Sequence, residues 1–180
     1  NGSALTISMP LIVNDPLTLD AAGEKLVTGA ADLSLNGGIS ATAGTLSSTG
    51  GTLDLPIGAT LASGASFSTS NTTLNLGGSL AVAGTWTSDN TSVSLTDNAS
   101  LSSTAALSLA SLQTNGNDFE LASGSSPLTI ENAFALSGSE TLSTQGADLI
   151  FESSANISSG STLDASGGGK LEFQQGGTDN

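Results

Sequence analysis

The chain has no cysteine, no histidine, no tyrosine and no arginine. Without cysteine it can form neither a disulfide framework nor a thiolate metal site. Without histidine or cysteine it also lacks the Ser-His-Asp and Cys-His arrangements of nucleophilic catalysis. Its only cations are Lys25 and Lys170, which leaves a net charge of −14 over 180 residues. Because nucleic acids and anionic membrane surfaces attract basic proteins, the sequence predicts no nucleic-acid partner.

Long apolar runs are also missing. No run reaches 18 apolar residues, so the sequence predicts no transmembrane helix and no membrane insertion by this segment. The first residues lack the basic region and apolar run of an export signal. Composition rich in Gly, Ser and Thr and free of Cys is typical of large exported bacterial proteins. We therefore expect an export signal outside these residues, and we interpret the chain as a fragment or processed product of a longer protein.

What the sequence does contain is a repeat of about 20 residues. Three sets of apolar residues return in the same order within each unit. They are Leu33, Leu53, Leu74 and Val93 in the first set, Ile39, Leu61, Leu80 and Leu101 in the second, and Leu46, Phe67, Trp86 and Leu107 in the third. Members of the first set follow one another at steps of 20, 21 and 19 residues. Each is followed by an apolar residue two positions later, which places both side chains on one face of a strand.

The residues between these sets have the chemistry of tight turns. Four positions after members of the third set lie Gly50, Asn71 and Asn90, whose types tolerate left-handed backbone. The step from each of the first three third-set members to the next first-set member is seven positions, which is too short for a helical crossover. An antiparallel sandwich explains the strand spacing, but not the return of the same role in every unit.

The repeat therefore predicts an all-β fold, a single-stranded right-handed parallel β-helix or β-solenoid. We expect three short strands per rung, about 20 residues per rung and about eight rungs. One solenoid domain should cover residues 1–180, with the clearest repeats in 31–110. The spacing does not fix the phase of the rungs between 108 and 135.

The repeated units also resemble a known class of protein. The stretch GTLDLPIGATLASGASFSTSNTTLNLGGSLAVAGTW, residues 51–86, is similar to the β-helical shafts of large bacterial secreted adhesins, such as autotransporter passengers and filamentous-haemagglutinin-like proteins. The resemblance extends over nearly all of the chain and rests on rhythm rather than on functional residues. It implies a secreted or cell-surface location and a structural or adhesive role, with no enzymatic activity.

Carboxylates are the residues most able to carry chemistry here. Polysaccharide hydrolases and lyases include parallel β-helices, and they need clustered carboxylates in a groove. Asp32 and Asp54 could lie on neighbouring rungs of one face, which keeps a polysaccharide-acting enzyme as an alternative. We expect no cofactor, because calcium-binding loop motifs are missing, although weak bridging of surface carboxylates by calcium is possible.

A regular polar surface provides the second alternative, an ice-binding or glycan-binding module. Small hydroxyl residues flank three members of the third set and should form two parallel files on a flat face. They are Thr45, Ser47, Ser66, Ser68, Thr85 and Thr87. Flat Thr-x-Thr arrays of this kind resemble the ice-binding faces of antifreeze proteins. Trp86 shares its register with Phe67, so we expect it to be a buried aromatic and not a sugar platform.

These observations favour a shaft segment whose partners are reached elsewhere. A host-cell, glycan or other surface ligand would be bound through other parts of the parent protein. Neither end of the sequence resembles a cap, and an uncapped solenoid exposes apolar surface and strand edges. The chain is therefore expected either to be a cut from a longer shaft or to associate end to end with itself.

Overall fold

The computed structural model describes residues 3–136 and 138–174. These residues form a parallel β-solenoid of about eight turns, with successive coils about 21 residues apart. None of them is helical. The all-β class, the stacked parallel coils and the number of turns predicted from the repeat are confirmed.

The strands are numbered in chain order. They are β1 (Ala4–Ile7), β2 (Leu11–Val13), β3 (Leu17–Leu19), β4 (Lys25–Thr28), β5 (Leu33–Leu35), β6 (Ile39–Thr49), β7 (Thr52–Leu55), β8 (Gly58–Ser70), β9 (Thr73–Val82), β10 (Thr85–Asp89), β11 (Ser92–Ser103), β12 (Leu107–Leu109), β13 (Ser111–Gln113), β14 (Phe119–Leu121), β15 (Leu128–Ile130), β16 (Phe134–Leu136), β17 (Thr141–Thr144), β18 (Leu149–Phe151), β19 (Ala155–Ile157), β20 (Thr162–Asp164) and β21 (Leu171–Phe173).

Strands on the same side of successive coils stack into three parallel ladders. Ladder A begins with β1 and β4, ladder B with β2 and β5, and ladder C with β3 and the start of β6. One full coil is called a rung, and rung 1 consists of β1, β2 and β3. In ladder A the later strands β12, β15, β18 and β21 form a hydrogen-bonded sheet of their own. This pairing fixes the phase of the rungs between 108 and 135, which the sequence spacing left open.

Two of the predicted columns run through the core as expected. In ladder B, Leu53 pairs with Leu33 on one side and with Leu74 on the other, and all three are fully buried. In ladder A, Phe67 pairs with Leu46 and Trp86, and the Phe67 and Trp86 ring centroids lie 4.9 Å apart. Complete burial of one such side chain contributes about 1.5–3 kcal/mol to stability. The stacked columns are therefore the main source of the fold's stability.

The remaining members of the first and third sets are buried as well. Val93 pairs with Leu74 and is 3% exposed. Leu107, on β12, is 5% exposed and belongs to the ladder A strand that packs next to β10.

One predicted register was wrong. Leu61 does not share a level with Ile39 and Leu80, because Ala59 pairs with both of those residues. Leu61 instead pairs with Ala41 and Val82. A shift of two residues leaves a side chain on the same face of a strand, so the apolar pattern alone cannot detect it.

Sides of the middle rungs merge into long bent strands. Predicted short strands occur at most positions, but β6, β8, β9 and β11 contain 11, 13, 10 and 12 residues. Register shifts mark the bends, for example between Ala41 and Ala43. A bulge of this kind lets a strand turn a corner without ending.

The predicted left-handed corners are present. Gly50, Asn71 and Asn90 have φ angles of 78°, 49° and 48°. The Asn90 Nδ2 atom donates to Asn71 Oδ1 at 2.7 Å, so the corner is stabilised from rung to rung. Asparagine is favoured here because it adopts left-handed backbone and can also hydrogen-bond to its neighbour.

Part of the interior is polar, which the apolar pattern did not predict. Ladder A has a second inward column next to Leu46 and Phe67, and in the middle rungs it consists of hydroxyl residues. Its members are Thr28, Ser48, Thr69 and Ser88. Thr72 and Thr91 join it from the adjacent corner, with Thr91 Oγ1 donating to Thr69 Oγ1 at 2.8 Å. We call these six residues the hydroxyl column.

Candidate surface-binding face

The six predicted hydroxyl residues lie in two straight files on ladder A. Ser66 pairs with Thr45 and Thr85, and Ser68 pairs with Ser47 and Thr87. Their side chains point outward because each alternates with a buried residue of the third set. Neighbouring rungs are about 4.8 Å apart, and the two files are about 6.6 Å apart along the strands. The six residues together are called the hydroxyl face.

The hydroxyls of this face are available for binding. None of the six forms a side-chain hydrogen bond with another residue in the described part of the chain. Thr85 and Thr87 are exposed, and the other four are half-buried. By contrast, the hydroxyls of Thr72 and Thr91, in the hydroxyl column, are bonded to neighbours inside the solenoid. The face therefore presents an uncharged grid of donors and acceptors to solvent.

The hydroxyl face ends after three rungs. On the preceding rung its files continue as Lys25 and Val27, which pair with Thr45 and Ser47. On the following rung Ser108 donates to Glu131 Oε1 at 2.6 Å, so its hydroxyl is already engaged. With a rung spacing of about 4.8 Å, the grid extends over roughly 10 Å along the solenoid axis.

The two predicted carboxylates lie on neighbouring rungs of ladder B but are offset along the strands. Asp54 pairs with Ser34, two residues beyond Asp32. Each carboxylate has a partner: Asp32 Oδ1 accepts the backbone N–H of Thr52 at 2.7 Å, and Asp54 Oδ1 accepts Asn75 Nδ2 at 2.6 Å. One oxygen of each carboxylate therefore holds adjacent rungs together.

The bond made by Asp32 belongs to a recurrent arrangement. At some corners a backbone N–H has no carbonyl acceptor on the preceding rung. The side chain of an Asp or Asn residue on that rung then accepts the hydrogen bond instead. Asn98 accepts from Asp118, Asp118 accepts from Thr141, and Asp148 accepts from Lys170, at 2.7–2.9 Å. We call these contacts rung caps.

Sequence reasoning missed a polar groove on ladder C. It has a volume of about 560 Å³ and is lined by Ser100, Asp118, Glu120, Thr141 and other residues. Asp118 and Glu120 flank the buried Phe119, so both face outward. The alternation Asp-Phe-Glu around an inward aromatic was the signal that could have located this groove. Asp118 already serves as a rung cap, whereas the Glu120 carboxylate has no hydrogen bond within the described residues.

A single carboxylate of the described part is buried. Glu140 is 2% exposed, and its Oε1 atom accepts the hydroxyl of Thr114 at 2.8 Å. Thr114 is also buried. This contact joins residues 26 positions apart and lies inside the solenoid, away from the hydroxyl face.

The two cations lie on ladder A, near opposite ends of the solenoid. Lys25 is on β4, whereas Lys170 directly precedes β21 and pairs with Glu172 at 2.6 Å. The hydrogen bond and charge of Glu172 raise the pKa of Lys170, and Lys170 lowers the pKa of Glu172 in return. Within the described ranges no group of three or more His, Cys, Asp and Glu residues could hold a metal ion.

Comparisons with protein families, curated proteins and solved structures found no match to this chain. Its described residues contain no helix that could span a membrane. The residues and their geometry alone therefore have to support any functional assignment.

Proposed function

We propose that the chain is a structural and adhesive shaft segment of a secreted or cell-surface bacterial protein, without catalytic activity. The observation that carries this proposal is the stack of rungs itself. Rung follows rung with a spacing of about 21 residues. Eight rungs at about 4.8 Å give a rod of roughly 40 Å. Such a rod keeps the parts of the parent protein at its two ends apart.

The state of the carboxylates supports a non-catalytic role. Glycoside hydrolysis requires two carboxylates that face one sugar, one of them free to exchange a proton. Asp32 and Asp54 each have one oxygen bound to the next rung. In the groove of ladder C, Asp118 is bound in the same way, and Glu120 is the carboxylate without a hydrogen bond within the described residues. A second free carboxylate beside Glu120 is what catalysis would need.

An activity screen tests this proposal. The purified chain is incubated with neutral and acidic polysaccharides, and reducing ends and unsaturated products are measured. We expect no turnover, either from the parent chain or from Asp32→Asn, Asp54→Asn and Glu120→Gln variants. Turnover that disappears in one of these variants would establish the enzyme alternative. Small-angle scattering on the same samples should give a rod of the length stated above.

The hydroxyl face supports a second candidate, a binding module for ice or glycans. Its six hydroxyls are in register on three rungs and have no hydrogen bonds within the described residues. Hydroxyl groups suit ligands that are themselves arrays of hydroxyls, such as sugars or ordered water. The absence of an exposed aromatic platform beside the face weakens the case for tight sugar binding, since Trp86 is buried.

Glycan arrays and ice-recrystallisation assays test the second candidate. The Thr85→Ala/Thr87→Ala variant removes the two most exposed hydroxyls. The matched control is Thr52→Ala/Thr73→Ala, which removes two outward threonines from ladder B, where they pair with each other. Binding that is lost in the first variant and kept in the control would favour the module. Equal behaviour of both variants would leave the shaft proposal as it stands.

A further inference from the structure

The interior of the solenoid contains a carboxyl group at one corner between ladders B and C. Glu140 lies there, between β16 and β17, and is 2% exposed. Every other Asp or Glu of the described part is exposed or half-buried. Removing a charge from water is costly, and a buried carboxyl group therefore favours its protonated form. Burial of Glu140 thus links the folded corner to the uptake of a proton.

The charges around this corner reinforce that preference. The strands that form it on three successive rungs are β13 and β14, β16 and β17, and β19 and β20. Their titratable residues are Glu120 and Asp164, and Asp118 directly precedes β14. All three are carboxylates that face outward on ladder C, and like charges disfavour a further negative charge. The two lysines of the chain lie on ladder A, so neither of them compensates a charge at this corner.

The hydrogen-bond partner of Glu140 is suited to both forms of the carboxyl group. Thr114 Oγ1 lies 2.8 Å from Glu140 Oε1 and 3.4 Å from the carbonyl oxygen of Ala135. With an ionised carboxylate, the threonine hydroxyl donates to Glu140. With a neutral carboxyl group, the acid O–H donates to Thr114 Oγ1, and the threonine hydroxyl donates to Ala135. The closed corner can therefore hold the proton without leaving the Thr114 hydroxyl unsatisfied.

The main chain at Glu140 is fixed by both neighbouring rungs. On the preceding rung Asp118 Oδ1 accepts the N–H of Thr141 at 2.7 Å. From the following rung Thr162 N donates to the Glu140 carbonyl oxygen at 3.0 Å, and Ser161 Oγ donates to the Gly138 carbonyl oxygen at 2.9 Å. The carboxyl group can therefore reach water only when contacts between rungs open.

We propose that Glu140 is a pH-sensitive switch, protonated while this corner of the solenoid is closed and ionised when the corner opens. Opening then releases one proton to water, so a rise in pH favours the open corner. The loss of stability begins as pH rises above the range in which an exposed glutamate ionises. It levels off once pH is high enough to ionise Glu140 in the closed corner as well. This inference rests on the buried carboxyl group and stands whether or not the chain is an adhesive shaft.

An NMR titration of the side-chain carboxyl carbon of Glu140 tests the protonation directly. The signal is assigned by its loss in Glu140→Gln. In the parent chain we expect its midpoint at least about one pH unit above the usual value of a glutamate. A midpoint at or below that usual value would overturn the proposal, and this measurement does not depend on whether any variant folds.

Urea unfolding over a pH series tests the coupling to stability. Glutamine cannot ionise, but its side-chain oxygen can still accept the Thr114 hydroxyl. The ratio of the unfolding constants of the parent and Glu140→Gln should therefore rise with pH, by up to about tenfold per pH unit, the limit for one released proton. Glu152→Gln is the matched control, because it removes one exposed carboxylate outside this corner, and its pH dependence should follow that of the parent. Far-UV circular dichroism confirms that both variants are folded.

Amide hydrogen exchange at Thr162 reports on the corner itself, because this N–H donates to the Glu140 carbonyl oxygen. After correction for the intrinsic effect of pH on exchange, protection of this amide should fall with rising pH in the parent. It should stay constant in Glu140→Gln. The same pH dependence in both proteins, in unfolding and in exchange, would show that Glu140 has a structural role only and would overturn the switch.

Discussion

The indole N–H of Trp86 donates to Thr69 Oγ1 at 3.0 Å, inside the solenoid. Thr69 Oγ1 also accepts from Thr91, so one threonine hydroxyl binds both the aromatic and the corner residue of the following rung. A buried tryptophan needs such a partner for its N–H. The hydroxyl column therefore supplies what the predicted aromatic stack requires.

Thr69→Val should destabilise the protein. The change keeps the shape of the side chain but leaves the Trp86 N–H without its acceptor, which costs about 1–3 kcal/mol. Urea unfolding followed by the fluorescence of Trp86, the single tryptophan, measures the effect. Unchanged stability in Thr69→Val would show that the indole finds another acceptor.

Thr28→Val should be neutral or stabilising. Thr28 lies at one end of the same column, and its Oγ1 atom is buried without a hydrogen-bond partner. Replacing an unsatisfied buried hydroxyl with a methyl removes a desolvation penalty of about 1–3 kcal/mol. The same urea titration gives the comparison with Thr69→Val. Equal destabilisation by both substitutions would contradict the distinct roles assigned to the two threonines.

Asn90→Ala should lower the unfolding free energy by about 1–2 kcal/mol. Alanine disfavours the left-handed backbone of this corner, and the substitution also removes the bond to Asn71. Asn90→Gly keeps the conformation without strain and loses only the side-chain bond, so it should fall between the parent and Asn90→Ala. A glycine variant less stable than the alanine variant would be inconsistent with backbone strain as the cause.

Asp32→Ala should destabilise the contact between rungs 2 and 3, whereas Asp32→Asn should retain most of it. The rung cap needs an oxygen acceptor for the Thr52 N–H, and the asparagine amide supplies one. The expected loss for alanine is about 1–3 kcal/mol, because a hydrogen bond to a charged group is removed. Amide hydrogen exchange at Thr52 reports the local effect, and exchange unchanged by Asp32→Ala would argue against the cap.

The ion pair of Lys170 and Glu172 gives a prediction about pH. The pKa of Glu172 is lowered from its usual 4.5, first by the hydrogen bond from Lys170 and then by its charge. Its contribution to stability is present above the unfolded-state pKa and is lost as pH falls through the lower folded-state pKa. The pKa of Lys170 is raised above 10.5, so the lysine's contribution disappears as pH rises through that higher value. Because both groups are exposed, the effect should be small and weakened by salt.

An NMR titration of the Glu172 carboxyl checks this. The midpoint should lie below 4.5 in the parent chain and rise towards it in Lys170→Gln or at high salt. Glu152→Gln, which alters a carboxylate outside this pair, serves as the control and should leave the midpoint in place.

The fold was predictable from residues such as Leu33, Leu53 and Leu74. In a narrow core with one apolar column per side, an apolar residue has to recur once per coil, so the length of the coil can be read from the sequence. The pairing of Ala59, instead of Leu61, with Ile39 and Leu80 was not predictable, since a two-residue shift leaves a side chain on the same face of a strand. The buried position of Thr69 was also hidden. Threonine suits an exposed strand position as well as a bonded interior one, and only the partner identifies which applies.

The positions of the candidate surface residues were predictable from the sequence, but the hydrogen-bond partners of the carboxylates were not. The files of the hydroxyl face follow from alternation around Leu46, Phe67 and Trp86, and pairing places them in register. The partners of Asp32 and Asp54 did not follow from sequence, because a rung cap depends on how each corner is turned. Binding of ice or glycans by the hydroxyl face stays a prediction.

The matching of Leu53 and Leu74 between rungs has a consequence for how such a chain can change in length. Since each coil contributes equivalent contacts to its neighbours, excision or duplication of one 21-residue unit, for example 53–73, would rejoin the ladders with inward and outward positions intact. Each such event would shorten or lengthen the rod by about 4.8 Å. Recombination between repeats can then adjust the length of the rod in fixed increments, without a new core having to evolve.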